Sequence, residues 1–318
     1  MQEKILELKN LSKFFYLSRN RVLKAVSNIN FEIYRGETFA IVGESGCGKS
    51  TLGRTIKGIY LPTMGQEIYE GKDIYKMNKM DKKNYLRDIQ IIFQDPYSSL
   101  NPRMMVEEIV REGLDIHKIG TKEIRKKKVL DTLNLVGITS EYLTRYPHEF
   151  SGGQRQRLAI ARALATEPKF IICDEPISAL DVSIQGQIVN LLKELQDKFG
   201  LTYIFITHDL SMVKYISDRV GVMYLGKLVE IAGKKELFEN PKHPYTRALL
   251  SSIPIPDPRK ERKRKKMPIK GEIPSPLEDI EGCSFKTRCP DVTPICDRME
   301  DKLIDVGNNH FVMCTKYA

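Results

Sequence analysis

The chain has 318 residues, of which 41% are hydrophobic and 29% are charged, a globular composition rather than a disordered or fibrous one. This length predicts about two domains. No run approaches the ~18 apolar residues that a membrane-spanning helix needs, and no apolar stretch follows the opening Met1-Gln2-Glu3-Lys4. We therefore expect a cytosolic protein without a secretory signal.

The net charge of +10 is concentrated near the C-terminal end. Residues 259–270 hold eight basic side chains and one acidic one, so this segment supplies +7 of the total. A nucleic-acid-binding face spreads its charge over a domain, and we therefore predict no nucleic-acid partner. Two interpretations of the basic run stay open: contact with anionic lipid headgroups, or a solvated linker.

The order of apolar patterns along the chain indicates the fold class. Strand-like runs occupy residues 5–8, 29–33 and 38–42, and helical spacing follows in 106–117 and 124–136. Two compact apolar runs, at 170–173 and 202–207, then alternate with helix-prone segments that end near Ala165 and span 183–199. Short apolar strands separated by helices predict an α/β protein with a parallel sheet.

A glycine-rich loop follows the third strand-like run. It fits G-x-x-x-x-G-K-[ST] at every fixed position and reads Gly43-Glu44-Ser45-Gly46-Cys47-Gly48-Lys49-Ser50, with Thr51 next in the helix that follows. The glycines let successive N–H groups point at phosphate oxygens. Lys49 adds a charge near the β- and γ-phosphates, and the Ser50 hydroxyl is a ligand for Mg²⁺. The loop predicts that the chain binds a nucleoside triphosphate.

A second acidic element is expected to complete the magnesium site. The apolar run 170–173 ends in two carboxylates, Asp174 and Glu175. Asp174 at the strand tip can reach the metal, and Glu175 can accept a proton from an attacking water. The alternative is an ordinary strand that ends in solvated acids.

Ser151-Gly152-Gly153-Gln154 precedes Asp174 by about twenty residues, and with these three motifs together the chain resembles an ATP-binding-cassette (ABC) ATPase over residues 3–235. Ser-Gly-Gly-Gln is similar to the signature of that family, which completes the nucleotide site of the partner subunit. The chemistry is consistent, because a serine and two glycines at a helix N-terminus form an anion-binding end.

The resemblance implies further site residues. Gln94 is similar to the glutamine that touches Mg²⁺ or the water and senses the membrane subunits. Asp181, in Ser178-Ala179-Leu180-Asp181, resembles the loop that couples two sites across a dimer. His208 resembles the histidine that contacts the γ-phosphate, and Phe15 resembles the aromatic side chain that stacks on adenine. For Phe15 a role in the core stays open.

A finer resemblance narrows the family to the second ATPase subunit of dipeptide and oligopeptide importers. It is carried by residues 91–103, 173–183 and 243–250. The resemblance implies a peripheral position on the cytoplasmic face of the membrane. It also implies three kinds of partner: a second, related ABC ATPase in a heterodimer, two integral membrane permeases, and an extracytoplasmic peptide-binding protein. Nickel importers share much of the pattern, and a soluble ABC ATPase of repair or translation is a further alternative.

Four cysteines crowd the last 36 residues: Cys283, Cys289, Cys296 and Cys314. Four thiolates are enough for Zn²⁺ or for a [4Fe–4S] cluster. The C-x₂-C pairs of common structural zinc sites are missing, and the spacing does not match the compact ferredoxin run. The family resemblance implies a cluster, while zinc and free thiols stay open. Cys47 and Cys173 are expected to be small packing residues.

The expected architecture is α/β: a P-loop ABC ATPase with a mixed β-core, an antiparallel β-subdomain and a helical signature subdomain at about residues 96–158. A small C-terminal cysteine-containing extension follows. The expected boundaries are residues 1–235 for the ATPase domain and 236–318 for the extension, which contains the basic linker. ATP, Mg²⁺ and the iron–sulfur cluster are the expected cofactors.

Overall fold

The computed structural model of the chain describes residues 3–18, 21–254, 267, 269, 271–278 and 280–318. All eight basic residues of the run 259–270 lie outside the described residues, and so does most of the expected linker. Within the described ranges, no helix is long and apolar enough to cross a membrane.

Strands and helices alternate through most of the chain. The strands are β1 Lys4–Ser18, β2 Arg21–Tyr34, β3 Thr38–Val42, β4 Met64–Tyr69, β5 Lys72–Asp73, β6 Ile89–Ile92, β7 Phe170–Asp174, β8 Thr202–Thr207, β9 Arg219–Tyr224, β10 Lys227–Gly233, β11 Ile304–Asp305 and β12 Phe311–Val312. The helices are α1 Lys49–Ile56, α2 Lys79–Asp88, α3 Pro96–Ser99, α4 Val106–Ile116, α5 Lys122–Leu135, α6 Gly152–Leu164, α7 Val182–Phe199, α8 Leu210–Ile216, α9 Lys234–Glu239 and α10 Pro244–Ser252.

The first of two compact units contains residues 3–6, 33–37 and 68–206. Strands β6, β7 and β8 run parallel in it, with Ile91 opposite Ile172 and Ile172 opposite Ile204. Every residue of β7 is buried, which explains its unbroken apolar run before Asp174, because parallel strands are covered on both faces. The predicted parallel pairing is confirmed for these strands.

Helices α3, α4 and α5 of the same unit pack on α6. Helix α4 buries Val106, Ile109, Val110 and Leu114, one helical face at the expected spacing. Its start is fixed by the Glu108 carboxylate, which accepts the Met105 N–H at 2.8 Å. These helices occupy the stretch in which the sequence predicts a helical subdomain.

The second unit contains residues 7–32, 38–67 and the chain from Thr207 onward. Strand β3 runs parallel to β9, β9 and β10 form an antiparallel hairpin, and the short β12 and β11 extend the sheet beyond β10. Strands β2, β1 and β4 lie side by side in that order. The C-terminal extension therefore supplies strands to the sheet that carries the phosphate-binding loop. The proposed functional division at residue 235 stays a prediction.

A buried carboxylate fastens the extension to β10. Glu230 is fully buried, and its oxygens accept the backbone N–H groups of Lys242 and His243 at 2.7 and 3.0 Å. The His310 ring nitrogen Nε2 lies 2.7 Å from the same carboxylate. Three separated segments thus meet at one side chain, which satisfies a group that is costly to bury alone.

His243 is also buried and caps α10, since its Nδ1 accepts the Tyr245 N–H at 3.0 Å. Burial lowers the pKa of His243 from 6.5 to about 4, against a smaller opposing effect of Glu230. The ring is therefore neutral in the folded chain wherever the pH exceeds about 4.

This low pKa predicts an acid-dependent loss of stability. Between pH 6.5 and 4 the unfolded chain binds a proton at His243 that the folded chain does not, so stability falls as the pH falls through this window. His243→Asn keeps a capping oxygen without titrating. Denaturant titrations at pH 7 and 4.5 measure how much the free energy of unfolding falls between these two pH values. We expect this fall to be roughly 2 kcal/mol smaller in the variant than in wild type. Equal losses in the two proteins would contradict the prediction.

Candidate functional site

The loop Gly43–Ser50 connects β3 to α1, as the motif predicts. At Gly48 the backbone has φ +105°, and a Cβ there would lie 2.0 Å from the Ala25 carbonyl oxygen. At Gly46, with φ +78°, an added Cβ would meet open space. The loop is therefore pressed against β2 at its base and open at its tip, the arrangement that an anion-binding loop requires.

Lys49 points back into this loop. Its side chain is buried at 4% exposure, and Nζ donates to the carbonyl oxygens of Gly43 at 2.9 Å and Glu44 at 3.0 Å. Ser50 and Thr51 follow in the first turn of α1, both half-buried. Burial raises the pKa of the Cys47 thiol, which keeps it neutral and supports its interpretation as a packing residue.

Three predicted residues of the first unit are Asp174 and Glu175, at the end of β7, and Gln94, which contacts Glu175. Asp174, the last residue of the strand, is fully buried. Glu175 is 8% exposed, and its Oε2 accepts a hydrogen bond from Gln94 Nε2 at 3.0 Å. Glu175 has φ +46°, a left-handed conformation that is held by its N–H bond to the Ile206 carbonyl at 3.0 Å. Such strain in a non-glycine residue is typical of functional sites.

The predicted signature residues form the N-terminus of α6. The Ser151 hydroxyl accepts the Gln154 N–H at 3.4 Å, and Gln154 Oε1 accepts the Ser151 N–H at 3.0 Å. Ser151 and Gly152 are exposed, while a Cβ on Gly153 would come within 2.7 Å of Ile184 on α7. The helix end therefore faces outward, and Gly153 permits its close packing on α7.

Asp181 lies at the start of α7 and caps it, accepting from the Ser183 hydroxyl at 2.6 Å and the Ile184 N–H at 3.0 Å. These hydrogen bonds, that of Ser183 first, hold the pKa of Asp181 below its usual range. His208 is exposed in the turn between β8 and α8.

Phe15 is half-buried on β1. Its ring contacts Tyr60 edge-to-face at a centroid distance of 5.4 Å, and Lys13 Nζ lies 4.9 Å from its centroid. The ring is thus partly accessible and also partly packed, and its stacking on adenine stays a prediction.

The four tail cysteines are brought into one neighbourhood as free thiols. Cys283, Cys296 and Cys314 are buried and Cys289 is half-buried. Burial first, and then the other three thiols, raise the pKa of Cys283 to about 11. Burial opposes the change at Cys296, but its hydrogen bonds with the Thr315 hydroxyl and with Thr293 lower its pKa overall. Within the described ranges, no three His, Cys, Asp or Glu side chains form a group that could hold a metal ion.

The sequence gives no signal for two further contacts of the phosphate-binding loop. The Arg288 guanidinium binds the Glu44 carboxylate, and the Tyr245 hydroxyl accepts the Glu44 N–H. Glu44 occupies a variable position of the motif, and the other two residues lie about 200 and 244 positions away. Only the folded chain brings them together.

Comparison with known proteins agrees with this geometry. Residues 26–178 match the family model of the ABC transporter, and residues 229–296 match that of the oligopeptide/dipeptide transporter C-terminal region. The Bacillus subtilis oligopeptide transport ATP-binding protein OppF is 54% identical over 99% of this chain and 98% of its own. The putative oligopeptide transport ATP-binding protein YkfD of the same organism is 52% identical over 98% and 95%.

A solved structure, the dimeric ATP-binding cassette in a post-hydrolysis state with ADP and Pi, is 30% identical and superposes with a TM-score of 0.66. The superposition covers 72% of this chain and 99% of the chain in that structure. The chain therefore belongs to the ATP-binding proteins of the ABC transporter family and is an ABC-type ATPase. Its C-terminal match places it among those that carry the oligopeptide/dipeptide transporter region, and the P-loop fold predicted from the sequence is confirmed.

The close approach at Gly48 predicts a large effect of one methyl group. Gly48→Ala forces a Cβ into the Ala25 carbonyl in a left-handed conformation, and we expect it to lower the free energy of unfolding by about 2 kcal/mol or more. Gly186→Ala is the matched control, because Gly186 lies in α7 and an added Cβ would meet nothing within 4 Å. The control should be neutral or stabilising. Denaturant titration measures the free energy of unfolding of both variants. Equal effects of Gly48→Ala and Gly186→Ala would contradict the close approach at Gly48.

Proposed function

We propose that the chain is the ATP-hydrolysing subunit that powers import of dipeptides and oligopeptides across the cytoplasmic membrane. One observation carries this proposal: the chain contains both a phosphate-binding loop and an oligopeptide/dipeptide transporter C-terminal region. The same chain aligns over 99% of its length with an oligopeptide transport ATP-binding protein. The relatives' names favour peptide over nickel and transport over repair. The subunit lies on the cytoplasmic face, bound to two membrane permeases.

The phosphate-binding loop is proposed to hold the nucleotide. Its N–H groups and Lys49 take the phosphate oxygens, and Phe15 stacks on adenine. The residues proposed for nucleotide contact are Phe15, Gly43, Glu44, Ser45, Gly46, Cys47, Gly48, Lys49, Ser50 and Thr51 in this chain.

Hydrolysis is proposed to be an in-line attack of water on the γ-phosphate. Glu175 accepts the proton of that water as the new O–P bond forms and the bond to the ADP oxygen breaks. The hydrogen bond from Gln94 holds the Glu175 carboxylate in one orientation, and His208 contacts the γ-phosphate. The oxygens of Ser50, Gln94 and Asp174 suit Mg²⁺ by their chemistry, and the ion neutralises phosphate charge when it is bound.

The exposed end of α6 supports a role in dimer formation. Ser151 and Gly152 are exposed at this helix N-terminus, where Ser151, Gly152, Gly153 and Gln154 are proposed to complete a nucleotide site on a partner. We propose a second, related ATPase as that partner, with Asp181 in the loop that couples the two nucleotide sites. An extracytoplasmic peptide-binding protein delivers the substrate. Because each site is composite, the isolated chain is expected to hydrolyse ATP slowly.

Two substitutions separate binding from turnover. Glu175→Gln keeps the size and the contact with Gln94 but removes the base, so the assembled transporter should bind ATP normally and lose more than about 10²-fold in hydrolysis and in uptake of labelled peptide. Lys49→Ala should weaken ATP binding itself. Near-normal turnover by Glu175→Gln would show that the base is assigned wrongly. If the wild-type transporter hydrolyses ATP normally but takes up no labelled peptide, the transport proposal would be overturned.

The tail cysteines are proposed to bind a [4Fe–4S] cluster, with zinc as the alternative. Support comes from one core of the second unit, which contains Cys283 and Cys296 and has Cys289 packed against it, and from the burial of Cys314. In the described side-chain positions they form no metal-holding group, so the proposal implies a rearrangement of this segment on metal binding.

Metal analysis of the full chain tests this site. After anaerobic purification we expect about four iron and four sulfide per chain, lost in the variant Cys289→Ser. Cys173→Ser is the control, because Cys173 is fully buried in β7 and is not one of the four tail cysteines. One zinc per chain would support the alternative, and neither metal in substantial amount would overturn both.

A further inference from the structure

Glu44 of the phosphate-binding loop is held by the C-terminal extension. The Arg288 guanidinium forms two parallel hydrogen bonds with it, from NH1 to Oε2 at 2.7 Å and from NH2 to Oε1 at 3.0 Å. Arg288 is 7% exposed, and NH1 also lies 3.4 Å from the Tyr224 hydroxyl. A bidentate pair of this kind fixes both the position and the plane of the carboxylate.

A second side chain of the extension holds the Glu44 backbone. Tyr245 is fully buried, and its hydroxyl accepts the Glu44 N–H at 2.9 Å. Its ring packs on Tyr224 and Phe285 at centroid distances of 4.7 and 5.3 Å. Because these rings lock the tyrosine in place, the hydroxyl is a fixed acceptor rather than an adaptable one.

The third contact of Glu44 leads to the lysine of the motif. The Glu44 carbonyl accepts a hydrogen bond from Lys49 Nζ at 3.0 Å. The N–H, the carboxylate and the carbonyl of one residue are therefore bonded to Tyr245, Arg288 and Lys49 in turn. Any change at Arg288 or Tyr245 acts on the backbone segment that orients Lys49.

We infer that Arg288 and Tyr245 are positioning residues of the nucleotide site, and that the cysteine-containing extension sets the affinity of the phosphate-binding loop through them. Contacts made within the chain fix this part of the loop and so lower the cost of ordering it when the nucleotide binds. The inference rests on the proposed nucleotide site. It assigns to the extension a role in nucleotide binding that does not depend on any metal.

Calorimetric titration of the full-length chain with MgADP and with a non-hydrolysable ATP analogue tests the inference. Arg288→Met removes the guanidinium and keeps much of the side-chain length. We expect its dissociation constant to rise about tenfold. The turnover number at saturating ATP should change much less, because Arg288 does not touch the reacting atoms. Lys286→Met is the control, since Lys286 pairs with Asp297 at 2.7 Å in the same segment without reaching the loop; its affinity should equal that of wild type.

A double-mutant cycle distinguishes positioning from general destabilisation. If Arg288 acts through Glu44, then Arg288→Met should change the affinity less than about twofold in a Glu44→Gln background. Arg288→Lys keeps the charge without the two-pronged geometry and should restore the affinity in part. Tyr245→Phe removes only the hydroxyl and should also weaken binding. Thermal denaturation confirms that each variant is folded at the temperature of the titration.

The outcomes separate this inference from the proposed nucleotide site. Absence of nucleotide binding by wild type, or no effect of Lys49→Ala, would overturn both. Normal binding by wild type with an unchanged dissociation constant in Arg288→Met and Tyr245→Phe would overturn the positioning role alone. Additive effects of Arg288→Met and Glu44→Gln would also overturn it, because they would show that Arg288 acts by another route.

Discussion

The nucleotide site depends on one constraint, the close approach of a glycine-rich loop to the backbone beside it. At Gly48 no side chain fits, because the Ala25 carbonyl already occupies the place of a Cβ. The same loop must leave its tip open for phosphate, and Gly46 does so. A loop that is open on one side needs anchors on the other. Lys49 supplies one from within, and Arg288 and Tyr245 supply two from the extension.

The extension is therefore more than a linker that carries cysteines. It adds β11 and β12 to the sheet of the second unit and ties itself to β10 through the buried pair of Glu230 and His310. Cys283, Phe285 and Cys296 share a core with residues of β3 and β9, the strands beside the loop. A chemical change at the cysteines would thus occur in the same packed core that supports the phosphate-binding loop.

Local patterns made much of this predictable. The strand before Gly43 and the strand before Asp174 can be predicted because each is a run of apolar residues that ends at a functional residue. The start of α6 can be predicted because Ser151 and Gln154 have the spacing of a capping box. The contacts of Glu44 with Arg288 and Tyr245 could not be predicted in the same way, because Glu44 fills an unspecified position of the motif and its two partners lie far away in sequence. The left-handed backbone of Glu175 was equally hidden, because it depends on the Ile206 carbonyl of the neighbouring strand.

We propose that this ATPase works as part of a membrane importer. The most direct test of this proposal is affinity purification of the tagged full-length chain from detergent-solubilised native membranes, with mass spectrometry of the proteins that follow it. We expect recovery of two polytopic membrane proteins together with a second ABC ATPase. Recovery from the soluble fraction alone, or with ribosomes or nucleic acid, would contradict the transport function while leaving the ATPase chemistry intact.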